Sequence, residues 1–101
     1  MGRLPPEVIQ VIERGEGSWS DHANEDRLRL DLDWPDVIGA AANSTTWKRS
    51  KDVKAQAIDG FKDAVTGRDT RGRAMYLVGK TVYLEGEVRW HVITFHEDKR
   101  S

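Results

Sequence analysis

Apolar residues recur at Val8, Ile9, Val11 and Ile12, the spacing of one helix face, until Gly15 and Gly17 break the run. Pro5 and Pro6 ahead of them suit a first turn, where their fixed φ is compatible with the helix and the missing N–H costs little. A second helix is predicted within SWSDHANEDRLRL, with Ser18 and Asp21 spaced as a capping box and Ser20 as the alternative cap. DWPDVIGAAAN predicts a third: Asp33 or Trp34 caps it, Pro35 lies in the first turn, Asp36 meets the positive end of the helix dipole and Asn43 stops it. The next stretch, STTWKRSKDVKAQAIDG, follows neither the helical nor the strand period. Beyond it β-branched and aromatic residues predict three strands, within FKDAVTGRD, RAMYLVGKTVYLEG and RWHVITFHED. They are separated by turns at GRDTRG, where Gly72 supplies a positive φ, and at LEGEV around Gly86. Helices followed by strands predict an α+β protein, residues 1–101 forming a single domain with N-terminal helices packed on one face of a small antiparallel sheet.

Strand parity assigns faces. Alternation places His91, Ile93 and Phe95 on one side of the last strand and Trp90, Val92, Thr94 and His96 on the other. Ile93 and Phe95 are the natural pair to bury under the helices, which leaves His96 on the open side and separates it from His91. In the preceding strand Tyr76, Val78 and Lys80 share a face. If that is the open face, an imidazole, a phenol and an ammonium gather there. Lys80 and Tyr83 face opposite ways unless a bulge near Gly79 intervenes.

Composition narrows the class. Hydrophobic residues make up 38% and charged residues 33% of 101, so one modest core with a well-solvated face is expected. Four tryptophans argue against disorder. Without cysteine, disulfides and thiolate metal sites are excluded. No apolar stretch approaches the roughly 20 residues of a membrane span, and MGRLPPEVIQ lacks the apolar core of a signal peptide, so a cytoplasmic protein is expected. Residues 1–44 carry 4 basic and 9 acidic side chains, net −5, and residues 45–101 carry 12 and 8, net +4. A cation-rich half is compatible with a polyanion-binding surface or with ordinary surface scatter.

No P-loop, dinucleotide-binding glycine pattern, metalloprotease helix or nucleophile elbow is present, and dispersed histidines give little support for a metal. RNA cleavage by the ribose 2′-OH needs neither metal nor cofactor: a base, an acid and cations for the phosphorane suffice. Histidine serves either proton role near neutrality. His96 is the acid or base candidate, with Lys48 and Arg73 as phosphate cations, Tyr83 as a positioning or relay group, and Arg49, Arg71, Tyr76 and Lys80 as substrate contacts. His22, spaced with Asp26 at i, i+4 on the second helix, is a reserve. Each has a structural alternative: solvated rim, turn charge or sheet packing.

The leading helix ending in a small-residue turn, LDWPDVI, the aromatic–lysine pair before the sheet, GKTVYL and the terminal TFHE together resemble MqsR-type bacterial toxins, over roughly residues 5 to 99. That resemblance implies a RelE-like ribonuclease fold, an endoribonuclease that cleaves mRNA either free or on the ribosome, no cofactor, no membrane, and a cognate antitoxin as partner. It implies Lys48 as the family's catalytic lysine and Tyr83 as its active-site tyrosine. His96 stands where the family carries a lysine after the phenylalanine of its last strand, and FKDAVTGRD offers no counterpart to the family's glutamine. The competing expectation is a non-catalytic RNA- or protein-binding module on the same fold.

Overall fold

The computed structural model describes residues 2–98. Helices α1 (Pro6–Glu13), α2 (Asp21–Leu30) and α3 (Trp34–Ala42) accompany strands β1 (Ser18–Trp19), β2 (Ser44–Lys51), β3 (Phe61–Arg68), β4 (Ala74–Leu84) and β5 (Glu87–Glu97). The sheet order is β1-β5-β4-β3-β2. β2 to β5 form the antiparallel meander, but β1 runs parallel to β5, so the sheet is mixed rather than purely antiparallel. The unassigned stretch after α3 supplies β2 and a connecting loop, residues 52–60.

Local chemistry sets the helix ends. Pro5 and Pro6 open α1. Ser20, not Ser18, caps α2 by accepting from the Ala23 N–H, while Ser18 lies in β1. Asp33 and Asp36 form a reciprocal capping box on α3, which ends at Asn43. The β4–β5 turn has both central residues at positive φ, Glu85 at 52° and Gly86 at 81°, as a two-residue hairpin matched to strand twist requires.

One apolar cluster joins Val8 and Ile12 of α1, Val37, Ala40 and Ala41 of α3, and Val65, Met75, Leu77, Trp90, Val92 and Phe95 of the sheet. Trp34 contributes to it and donates its indole N–H to the Ile12 carbonyl. Close approach depends on glycine: a Cβ on Gly67 would collide with the Ala40 carbonyl, and one on Gly79 with the Trp90 ring.

The face assignment from strict alternation fails within β5. Val78 pairs with Thr94 but Gly79 pairs with Val92, so Ile93 is the extra residue of a bulge. Phe95 stays in the core, and beyond the bulge Val92 and Trp90 replace Ile93 and His91 there. Ser20 secures the kink, donating its backbone N–H to the Val92 carbonyl and its hydroxyl to the Ile93 carbonyl. His91 and His96 therefore share the face away from α1 and α3. The bulge near Gly79 exists, but its extra residue belongs to β5, so Lys80 and Tyr83 still face opposite ways.

Candidate active site

The open face is ordered in cross-strand rows. Thr46, Thr66, Tyr76 and His96 form one, Lys48, Ala64, Val78 and Thr94 the next. Lys80 and His91 lie in the third. At the first row α2 lies along β5 and encloses a groove of about 660 Å³, lined by His22, Asp26, Arg29 and Leu30 of the helix with Tyr76, His96, Glu97 and Asp98. Positions 22, 26 and 29 fall on one helical stripe, which is why their side chains reach the same groove.

His96 and Tyr76 are cross-strand partners with ring centroids 5.5 Å apart. His96 Nδ1 lies 2.7 Å from the Glu97 carbonyl oxygen. A carbonyl only accepts, so Nδ1 carries the proton, and in the neutral ring Nε2 keeps its lone pair. Opposite, His22 Nε2 stands 3.4 Å from Asp26 Oδ2, and Arg29 Nη2 stands 3.0 Å from Asp26 Oδ1. Asp26 thus holds the His22 imidazole and the Arg29 guanidinium from a largely buried position, its own side chain 13% exposed.

The remaining sequence candidates lie elsewhere. Lys48 is exposed on the open face, but three strand spacings, about 14 Å, separate β2 from β5. Tyr83 is 68% exposed and points to the other face. Seven residues put it about 23 Å along β4 from Tyr76. Arg73 is engaged by Asp69: its Nε donates to Oδ2 at 2.8 Å and its backbone N–H to Oδ1. Burial favours the protonated Asp69, but the Arg73 backbone and guanidinium donors and the Arg71 N–H outweigh it and lower its pKa. Arg71 itself reaches Asp31. Arg49 turns to the helix side, where it donates to Asp63 and lies over Trp47 and Phe61. The Asp63 hydrogen bond, opposed by burial, raises its pKa further.

Lys80 is on the expected face but 2% exposed. Its Nζ lies 3.3 Å from both Asp52 oxygens and 2.7 Å from Gln56 Oε1. Asp52 also accepts from the backbone of Gln56 and Ala57, so Lys80 anchors the 52–60 loop across the sheet. Burial opposes ionisation of Asp52, yet the Ala57 and Gln56 N–H groups and the Lys80 ammonium bring its pKa down to about 2.

Of the eight site residues expected from sequence, the fold therefore gathers His96 and Tyr76 in one groove and adds the reserve His22. Arg29 and Asp26 were not among those eight, although the 22, 26, 29 spacing on a helix was a usable signal. Among the described residues no group of three or more histidine, aspartate or glutamate side chains is arranged to hold a metal ion. No described helix is long and apolar enough to cross a membrane. Compared with known proteins, the chain matches no family model, no curated protein and no solved structure.

Proposed function

We propose that the protein is a metal-independent endoribonuclease acting on mRNA, free or on the ribosome, and the toxin of a bacterial toxin–antitoxin pair with a RelE-like fold. The observation that carries this reading is the groove in which His22, His96, Tyr76 and Arg29 meet. The order of elements and the LDWPDVI, GKTVYL and TFHE matches to MqsR-type toxins support it. Such a toxin works in the cytoplasm, and its cognate antitoxin would cover the groove and open face.

In this mechanism His96 Nε2, its ring fixed by the Nδ1–H bond to Glu97, takes the ribose 2′ proton. The 2′ oxygen bonds to phosphorus and the P–O5′ bond breaks, leaving a 2′,3′-cyclic phosphate and a free 5′-hydroxyl. His22, as an imidazolium held by Asp26, gives the leaving oxygen its proton. Arg29 stabilises the charge developing on the phosphoryl oxygens, and Tyr76 packs against His96 to orient it. Lys48 meets the RNA backbone outside the groove.

A second reading has its own observation. Asp26, Glu97 and Asp98 give the groove three carboxylates against one arginine, a balance that suits a basic segment of a protein better than a polyanion. On that reading the domain is a non-catalytic binding module.

Transcripts mapped in bacteria after induction, with purified protein and labelled RNA in chelator, separate the two. The nuclease gives discrete cuts ending in cyclic phosphate. His96→Ala and His22→Ala each slow it by about 10²- to 10⁴-fold while the unfolding midpoint is retained. Intact RNA throughout, from folded protein at high concentration, sinks the nuclease and leaves the binding module.

A further inference from the structure

Two rows along the open face from the groove, a smaller cavity of about 110 Å³ is closed by the 52–60 loop. It is lined by Lys54, Lys62, Lys80, His91, Asp52 and the cap residue Ser20, among others. Three ammonium groups face one carboxylate, so its wall is net positive where the groove's wall is net negative. Its volume equals that of three or four waters at about 30 Å³ each, room for one tetrahedral oxyanion.

We propose that this cavity is a phosphate site, taking the phosphoryl oxygens of either free phosphate or an RNA backbone. The RNA source rests on the nuclease reading; the free-phosphate source does not. Asp52 does not cancel the site, because it is committed to Lys80 and to the Gln56 and Ala57 N–H groups, leaving Lys54 and Lys62 as the surplus charge. His91 registers the resulting field. Burial lowers its pKa most, and the positive charges of Lys80 and Lys54 lower it further, against a smaller opposing effect of Asp52. Burial disfavours any charge, but the contribution of Lys80 and Lys54 that disfavours an imidazolium favours an anion. Four residues of β4, from Tyr76 to Lys80, set the cavity about 13 Å from the groove, within reach of one short oligonucleotide.

His91 is also the reporter. An anion seated among these cations offsets them, so the imidazole pKa must rise on binding. The test follows the His91 ring signals of the intact protein by NMR across pH. The probes are inorganic phosphate and, separately, a short 2′-O-methyl oligoribonucleotide, which has phosphodiesters but no attacking hydroxyl. The expected result is a pKa rise with at least one probe, with Lys62→Gln weakening that probe about tenfold, the loss of one charge-assisted hydrogen bond. A response to phosphate alone assigns the site to a free phosphate and holds even if RNA is neither bound nor cut. A response to the oligonucleotide alone assigns it to the RNA chain. No rise with either probe at tens of millimolar phosphate, or a rise unchanged by Lys62→Gln, overturns the proposal and leaves the cluster as the loop's anchor.

Discussion

Gly79 and Lys80 are neighbours in β4 with opposite constraints. Gly79 lies under the Trp90 ring, where any Cβ would intrude, so Gly79→Ala must push a fully buried indole aside. Overpacking of this kind costs about 1–3 kcal/mol, and urea unfolding should show that loss with little change in slope. Lys80 is buried by a loop rather than by the helices, and its substitution alone leaves Asp52 covered without its cation. Lys80→Met should therefore lower the unfolding midpoint clearly. Adding Asp52→Asn should recover part of the loss, because an unpaired buried charge costs more than the pair contributes; an additive double variant would refute that coupling. Lys80 also marks where residue-level reading runs out. A charged residue inside LVGKTVYL gives its face by parity, but its partner lies 28 positions earlier in a stretch with no period. His96 and Tyr76 were legible as companions on one face from strand order and parity, whereas their direct pairing depends on a register that only the structure gives.

The elements divide by how much of their cause is local. α1 and α3 follow from Pro6, Asp33, Asp36 and their apolar spacing. β3 to β5 follow from β-branched alternation and two glycine turns. β1 is two residues long and exists only because β5 offers a parallel edge. β2 has no apolar alternation, since as an edge strand it buries only Ser44 and half-buries Trp47. The β5 bulge was not legible either: VITF reads as regular alternation, and the Ser20 bonds to the Val92 and Ile93 carbonyls that hold the extra residue come from a segment more than 70 positions earlier. Deleting Ile93 would restore regular pairing and exchange the faces of Trp90 and Val92, both fully buried, with that of His91. We expect that deletion to abolish native near-ultraviolet dichroism and dispersed amide signals. A folded deletion with His91 turned inward would show that the bulge is not required.

At the scale of the whole molecule, the acidic half supplies α2 and the cationic half supplies most of the sheet, and the groove forms where they meet. Electrostatics couples that assembly to pH. Asp52 titrates at about 2 in the folded chain against 3.8 for its ordinary value. Its contribution is present above 3.8 and is lost as pH falls towards 2. His91 also has a lowered folded pKa, from burial first and the Lys80 and Lys54 charges next. The unfolded chain binds its proton more readily, so stability is flat above 6.5 and falls as pH drops below that value. The two act in the same direction in successive windows, so the unfolding midpoint should decline in two acid steps from a plateau above 6.5. His91→Gln should remove the first step, and Asp52→Asn should flatten the second while lowering the plateau by weakening the loop anchor. Bound phosphate in the second cavity raises the folded His91 pKa towards its unfolded value, and so should shrink the first step and end it at higher pH. A midpoint that stays level from pH 7 to 5 in the parent protein would show that His91 titrates as it does in the unfolded chain. The field attributed to Lys54 and Lys80 would then be absent.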